Sequence, residues 1–289
     1  MGIFKMQLYA LENAVPVLVE HAEKSKNYTC PECASPVRVR GGPARQAHFY
    51  HLSLPRRCRQ HEKSQEHIQL QLKLLDLIGS PDAAIECSFP AISRIADVAW
   101  HPKKIVFEIQ CSSISLEEVQ QRVLDYANAG YEVVWILHDK RFNQKKLSAA
   151  EIFLRTIACY FTNINKRGEG IIYDQFEVLK LNQRRFKGPP LTVSVDLVSR
   201  LPRVTSSDIV LPGCVAVRLM QWKCYAQGDL LERLLKEKNL SRAVQKMVSI
   251  EKRLLEEKQA PLQRLSAMQL IKNSYNFLIH FLLKKLSRP

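Results

Sequence analysis

Between residues 64 and 138 the hydrophobic pattern changes period in an order that few folds accommodate: helix, three strands, helix, strand. Leu70, Leu74, Leu77 and Ile78 fall on one helical stripe, which Gly79-Ser80-Pro81 closes. Three strand-like runs follow at 85–89, 94–100 and 105–110, and His101-Pro102-Lys103-Lys104 joins the last two as a tight turn. Ser115 with Glu118 three residues on is a capping box, and Gly130 is well placed to end the helix it starts. Residues 131–138, rich in Val, Ile and Trp, read as a buried strand. A strand, a helix and a second strand in succession make a crossover, so the expected class is α/β with a mixed sheet.

The flanks are less regular. Residues 37–40 alternate as a small strand would, ended by Gly41-Gly42-Pro43. Beyond 140, residues 149–161 look helical, 171–181 strand-like, 182–190 a basic loop, and 230–287 mostly helical and amphipathic with a break at Pro261. The expected division is a small N-terminal module over 1–62, an α/β domain with its extension over 63–205, and a basic helical region over 206–289.

Charge narrows the function class. The chain of 289 residues carries 43 Lys and Arg against 28 Asp and Glu, a net +15, which favours a polyanionic partner. An anionic membrane is the weaker choice: the apolar run at 275–283 contains Asn276 and His280 and is far short of the roughly 20 residues a span needs. The start of the chain has no apolar core of a secretory signal, so a soluble, cytoplasmic protein is expected. The surplus is uneven, with residues 76–140 carrying 10 acidic groups and 5 basic ones. An acidic block inside a polyanion binder needs a reason.

A turn centred on Pro102-Lys103 puts Trp100 opposite Ile105 and Asp97 opposite Glu108. Cβ atoms of opposed residues lie roughly 5 Å apart, so the two carboxylates repel unless something is held between them. Gln110 shares the face of Glu108 by alternation, while Ile105, Phe107 and Ile109 point the other way. Glu66 lies four residues before Leu70 and joins the stripe that should face the sheet. Convergence of Glu66, Asp97 and Glu108 would supply hard oxygen ligands for Mg²⁺ or Mn²⁺. On the second helix Glu118, Arg122 and Tyr126 share a face. They read as a solvated ion-pair face or, functionally, as Arg122 and Tyr126 contacting phosphate.

Cys30-Pro31-Glu32-Cys33 has zinc-knuckle spacing, and His48, His51, Cys58 and His61 lie downstream. Zinc is expected on four of Cys30, Cys33, His48, His51 and Cys58, in a structural role. His48 and His51 fall on opposite faces of a straight strand, so both bind one ion only if the chain turns there. Either of them with Cys58 completes the set otherwise. Arg56 and Arg57 flank this module and are expected phosphate contacts.

These residues carry a resemblance. Asp97 followed after ten residues by Glu108-Ile109-Gln110, with Glu66 on a preceding helix, resembles the PD-(D/E)xK nuclease core. More closely, the chain resembles the CoiA competence family in its CPEC at 30–33, HFYH at 48–51, SQEH at 64–67, RIADV at 94–98, FEIQCSSIS at 107–115 and GYEVVWIL at 130–137. The resemblance covers roughly residues 25–140. It implies a restriction-endonuclease-like fold and a role in processing incoming DNA, single- or double-stranded, during natural transformation and recombination. It further implies Asp97 and Glu108 as metal ligands, Glu66 as the helix-borne acid, and Gln110 in the position where the superfamily usually has Lys. An amide there positions a water but brings no positive charge. Two functions are therefore expected: a metal-dependent deoxyribonuclease, or a non-catalytic DNA-binding adaptor that assists recombination proteins.

Overall fold

The computed structural model describes residues 7, 9–13, 15–42, 45–53, 58, 63–79, 83–201 and 210–256. The first layer is a five-stranded antiparallel sheet made from the irregular N-terminal stretch. Its strands are β1 (Tyr9–Glu12), β2 (Val15–Leu18), β3 (Asn27–Thr29), β4 (Pro36–Gly42) and β5 (Arg45–His51), in the order β2-β1-β3-β4-β5. Alternation on β4 buries Val37 and Val39, which join Tyr28 and Phe49 in a small core.

Helix α1 (Gln65–Ile78) follows. Its N-cap is Ser64, whose hydroxyl accepts from the His67 N–H at 3.3 Å, and it stops at Gly79, which takes the left-handed conformation at φ 56°. Three consecutive residues of its first turn, Glu66, His67 and Ile68, are buried. Ile68 packs into the core of the five-stranded sheet, while the helix also crosses the three strands that come next. This helix is thus covered from two directions.

Those strands are β6 (Ala83–Phe89), β7 (Arg94–Trp100) and β8 (Ile105–Gln110), all antiparallel. The pairing of Trp100 with Ile105 is the register the tight turn predicts. Helix α2 (Leu116–Asn128), capped by the Ser115 hydroxyl on the Glu118 N–H at 3.1 Å, crosses over to β9 (Glu132–His138), which lies parallel to β8. Helix, three strands, helix and strand appear in the predicted order.

Past β9 the expectations need correction. Helix α3 (Ala149–Leu154) ends early, because residues 159–162 form β10 (Cys159–Thr162), parallel to β9. The predicted strand at 171–181 divides into β11 (Ile172–Asp174) and β12 (Glu177–Lys180). The predicted basic loop contains β13 (Gln183–Lys187), the hairpin partner of β12. Arg184 can be buried there because it meets Glu177 and Glu151, both at 2.7 Å. With β14 (Leu191–Thr192) the main sheet has seven strands in the order β14-β11-β10-β9-β8-β7-β6.

The remaining elements are β15 (Ser194–Arg200), α4 (Gly213–Gln221), β16 (Cys224–Gln227), α5 (Leu230–Lys236) and α6 (Leu240–Glu256). Leu230, Leu231 and Leu234 of α5 are buried, whereas Leu235 is exposed. Residues beyond 256, with the predicted break at Pro261, lie outside the described residues. The architecture is a mixed α/β one with a separate small sheet at its N-terminal end.

Candidate metal centres and acidic site

The Cys30–Cys33 turn connects β3 to β4. The Cys30 N–H donates to the Ser35 carbonyl at 2.9 Å, the Ala34 N–H donates to the Cys30 carbonyl at 2.9 Å, and Ala34 takes φ 56°. This tight turn aims both sulfurs one way. His51 arrives from the end of β5 and Cys58 from the chain beyond it, and the four donor atoms lie within 4.8 Å of one another. Cys30 Sγ is 3.6 Å from Cys58 Sγ, and Cys33 Sγ is 3.2 Å from His51 Nε2. A tetrahedral zinc with bonds near 2.3 Å to sulfur and 2.0 Å to nitrogen has ligand–ligand edges of about 3.5–3.8 Å. The donors therefore stand close to where such an ion needs them.

Of the five expected ligands, His48 is the one left out. It sits on β5 across from Arg40, on the opposite side of the strand from His51, and the chain does not turn between them. Burial pushes the Cys30 thiol up, whereas at Cys33 hydrogen bonding with Ser35 and the neighbouring sulfurs outweighs burial and lowers it. Arg56, Arg57 and His61 lie outside the described residues.

The acidic site forms where β6, β7 and β8 run side by side beneath the first turn of α1. The register that pairs Ile85 with Val98 and Cys87 with Ala96 puts Glu86 opposite Asp97. The register of the next pair continues that row toward Glu108. Three carboxylates on adjacent strands are thus in line, each under 10 % exposed. Glu86 takes φ 51°, a conformation uncommon in a strand interior for a residue with a Cβ.

Each carboxylate has specific partners. Asp97 Oδ2 accepts the Ile109 N–H at 2.8 Å, and Oδ1 lies 3.0 Å from both His67 Nε2 and Lys63 Nζ. Glu86 accepts from Lys63 and from the Gln71 amide. Glu108 meets Arg122 at 2.5 Å and accepts from the Tyr126 hydroxyl at 2.7 Å. Glu66, expected to converge with Asp97 and Glu108, instead takes Lys140 Nζ at 2.6 Å. Its neighbour His67, which a single-stripe reading of the helix turns elsewhere, is the residue that reaches Asp97.

The environments separate Asp97, Glu108 and Glu66. Burial alone would raise Asp97, but the facing His67 ring, the Lys63 ammonium and the Ile109 N–H hold it well below the ordinary carboxylate range. Glu108 goes the other way, up to about 7, because burial and the Asp97 charge outweigh Arg122 and Tyr126. At Glu66 the Lys140 contact overcomes burial and lowers the pKa. His67 is pushed below its usual value by burial, against the pull of Asp97.

Two expected phosphate contacts are engaged within the protein. Tyr126 is fully buried, and its hydroxyl is spent on Glu108, so it offers no phosphate contact in this arrangement. Arg122 spans Glu108 and Glu118, the latter at 2.8 Å, so the predicted α2 face is an ion-pair face that reaches into the site. Gln110 turns its amide to the Ser112 carbonyl at 2.8 Å and hydroxyl at 3.2 Å.

Residues 16–61 match the model described as the N-terminal domain of competence protein CoiA, and residues 63–178 match that of its nuclease-like domain. The chain belongs to the CoiA competence family. The first match contains all four clustered thiol and imidazole candidates, Cys30, Cys33, His51 and Cys58; the second contains Lys63, His67, Glu86, Asp97 and Glu108. No curated protein and no solved structure matches the chain. The competence-related, nuclease-like assignment thus rests on the family, and the side chains above are what this sequence places in it. Among the described residues no helix is long and apolar enough to cross a membrane.

Sequence reasoning missed Lys63 and Glu86. A signal for Glu86 existed: a turn centred on Ala91-Ile92 would have aligned it with Asp97, as the Pro90–Ile92 helical turn does.

Proposed function

We propose that the protein is a metal-dependent nuclease that hydrolyses phosphodiester bonds of incoming DNA during natural transformation, on a restriction-endonuclease-like core. The observation that carries this reading is the row of Glu86, Asp97 and Glu108 on three adjacent strands, two of them with pKa values driven apart. Asp97, ionised throughout the neutral range, and Glu108 are the residues that would hold Mg²⁺ or Mn²⁺. Such an ion polarises a phosphoryl oxygen and lowers the pKa of the attacking water. Gln110, at the end of β8, would orient that water once its amide leaves Ser112. The Cys30, Cys33, His51 and Cys58 set would hold a structural zinc, and the basic flanks would grip the DNA backbone.

One observation favours a second reading, a DNA-binding adaptor without turnover that assists recombination proteins. Gln110 brings no charge, and Glu108 is already bound to Arg122 and Tyr126. A cleavage assay on single- and double-stranded DNA with Mg²⁺ or Mn²⁺ separates the two. Cleavage by the wild type that Asp97→Ala abolishes supports the nuclease. Binding of DNA by both proteins, with cleavage by neither, supports the adaptor.

A further inference from the structure

We propose that the ion at Asp97 is a first-row transition metal of the Mn²⁺ class, held by His67 and Glu86 together with Asp97, and that Lys63 is its competitor for the site. The proposal rests on the reading of this region as a metal-dependent site, to whose Asp97 and Glu108 it adds His67, Glu86 and a metal class. His67 Nε2, one oxygen of Glu86 and one of Asp97 lie within 4.8 Å of one another, and all three residues are buried. An all-oxygen set would suit Mg²⁺. One imidazole nitrogen shifts preference toward Mn²⁺, Fe²⁺ or Co²⁺, which bind nitrogen more readily.

Lys63 supplies the second observation. Its ammonium bridges Glu86 and Asp97, with 17 % of the side chain exposed. A cation is thus already seated between two of the three donors. Two carboxylates directly opposed on neighbouring strands repel each other without one. Lys63 precedes the Ser64 cap and stands outside helix α1, so its side chain can swing away without unwinding the helix. Gln71, one turn beyond His67, donates to Glu86 and to the Asp97 carbonyl at 3.1 Å. That amide orients Glu86 toward the pocket, in the way outer-shell donors orient metal-binding carboxylates. The left-handed backbone at Glu86 is part of the same arrangement, setting its carboxylate against Asp97 in mid-strand.

The test measures metal binding on the full chain with its thiol site loaded with zinc, so that Mn²⁺ meets the acidic site alone. Titration calorimetry should find one Mn²⁺ per chain, bound about 10-fold or more tighter than Mg²⁺. Pulsed electron paramagnetic resonance of the bound Mn²⁺ should show coupling to an imidazole nitrogen, absent in His67→Asn. Glu86→Gln should weaken Mn²⁺ by about 10-fold or more. Lys63→Met should tighten it, which a merely structural lysine would not do. Equal Mg²⁺ and Mn²⁺ affinity, no nitrogen coupling in the wild type, or unchanged binding in folded Glu86→Gln would overturn the proposal. Mn²⁺ binding as described without DNA cleavage would uphold it while removing the nuclease reading. Mg²⁺-supported cleavage with no preference for Mn²⁺ would do the reverse.

Discussion

Glu108→Gln is expected to stabilise the fold while removing metal-dependent cleavage. Glu108 is about 1 % exposed and its pKa stands at about 7, against 4.5 for an ordinary glutamate. A group whose folded pKa is raised favours the native state fully below its unfolded value and loses that contribution as pH rises through the folded one. The interval from 4.5 to about 7 corresponds to about 3 kcal/mol. Gln mimics the protonated acid, since its carbonyl can accept from Arg122 while its NH₂ donates to the Tyr126 oxygen. The two proteins should therefore unfold with nearly equal free energies at pH 4.5. By pH 7.5 the variant should be more stable by about 3 kcal/mol, with no further divergence above. Urea denaturation at half-unit pH steps, in buffer without added Mg²⁺ or Mn²⁺, measures the gap. A gap that does not change with pH, or a wild type more stable than the variant at pH 8, refutes the reasoning. The first result would mean that the contacts with Arg122 and Tyr126 balance the burial of the charge, the second that they more than offset it.

Other substitutions probe the surroundings. Zinc content should be one ion per chain; His51→Gln and Cys58→Ser should lose it and melt at lower temperature, whereas His48→Gln should retain it by metal analysis. Glu177 faces Arg155 at 2.6 Å and Arg184 at 2.7 Å, and its pKa falls to about 2 because these guanidinium groups overcome burial. Its contribution, about 3 kcal/mol, is present above pH 4.5 and is lost as pH falls toward 2, which acid titration of stability would follow. At pH 7, Glu177→Gln should cost about 3–5 kcal/mol in urea, since it leaves two buried guanidinium groups short of a partner. Gly41→Ala should destabilise by about 1–3 kcal/mol in a thermal melt, because a Cβ there would lie 2.6 Å from the Ala47 Cα.

How far the fold can be read from sequence depends on whether its signals are local. The β7–β8 register was legible because a four-residue connection leaves few alternatives, and the pairing of Trp100 with Ile105 follows from it. Capping of α2 by Ser115 is equally local. The stretch after β9 was not legible, since its charged side chains are buried by partners distant in sequence. Arg184 reads as loop until Glu151, 33 residues earlier, is known to face it. Arg218 likewise lies buried against Asp174. A composition rule that sends arginine outward fails wherever the ion pairs are assembled by tertiary structure.

The acidic site shows the same limit at finer scale. Periodicity assigns α1 one buried stripe, and that logic selects Glu66 over His67. It fails because α1 has two neighbours: the small sheet takes Ile68 and the large sheet takes His67, so consecutive residues are buried. The charge pattern also acquires a local meaning that block totals could not convey. Lys63 answers Glu86 and Asp97, Arg122 answers Glu108, and Lys140 answers Glu66. The basic surplus therefore does not all face a polyanion, since one flanking lysine is engaged in the site itself. A divalent ion entering between Glu86 and Asp97 would release that lysine beside the carboxylates, so loading the site and freeing a cation near it are one event. Ionic strength should then affect Mn²⁺ affinity more in Lys63→Met than in the wild type, because without the ammonium the Glu86 and Asp97 pair attracts the ion with its full negative charge, which salt screens.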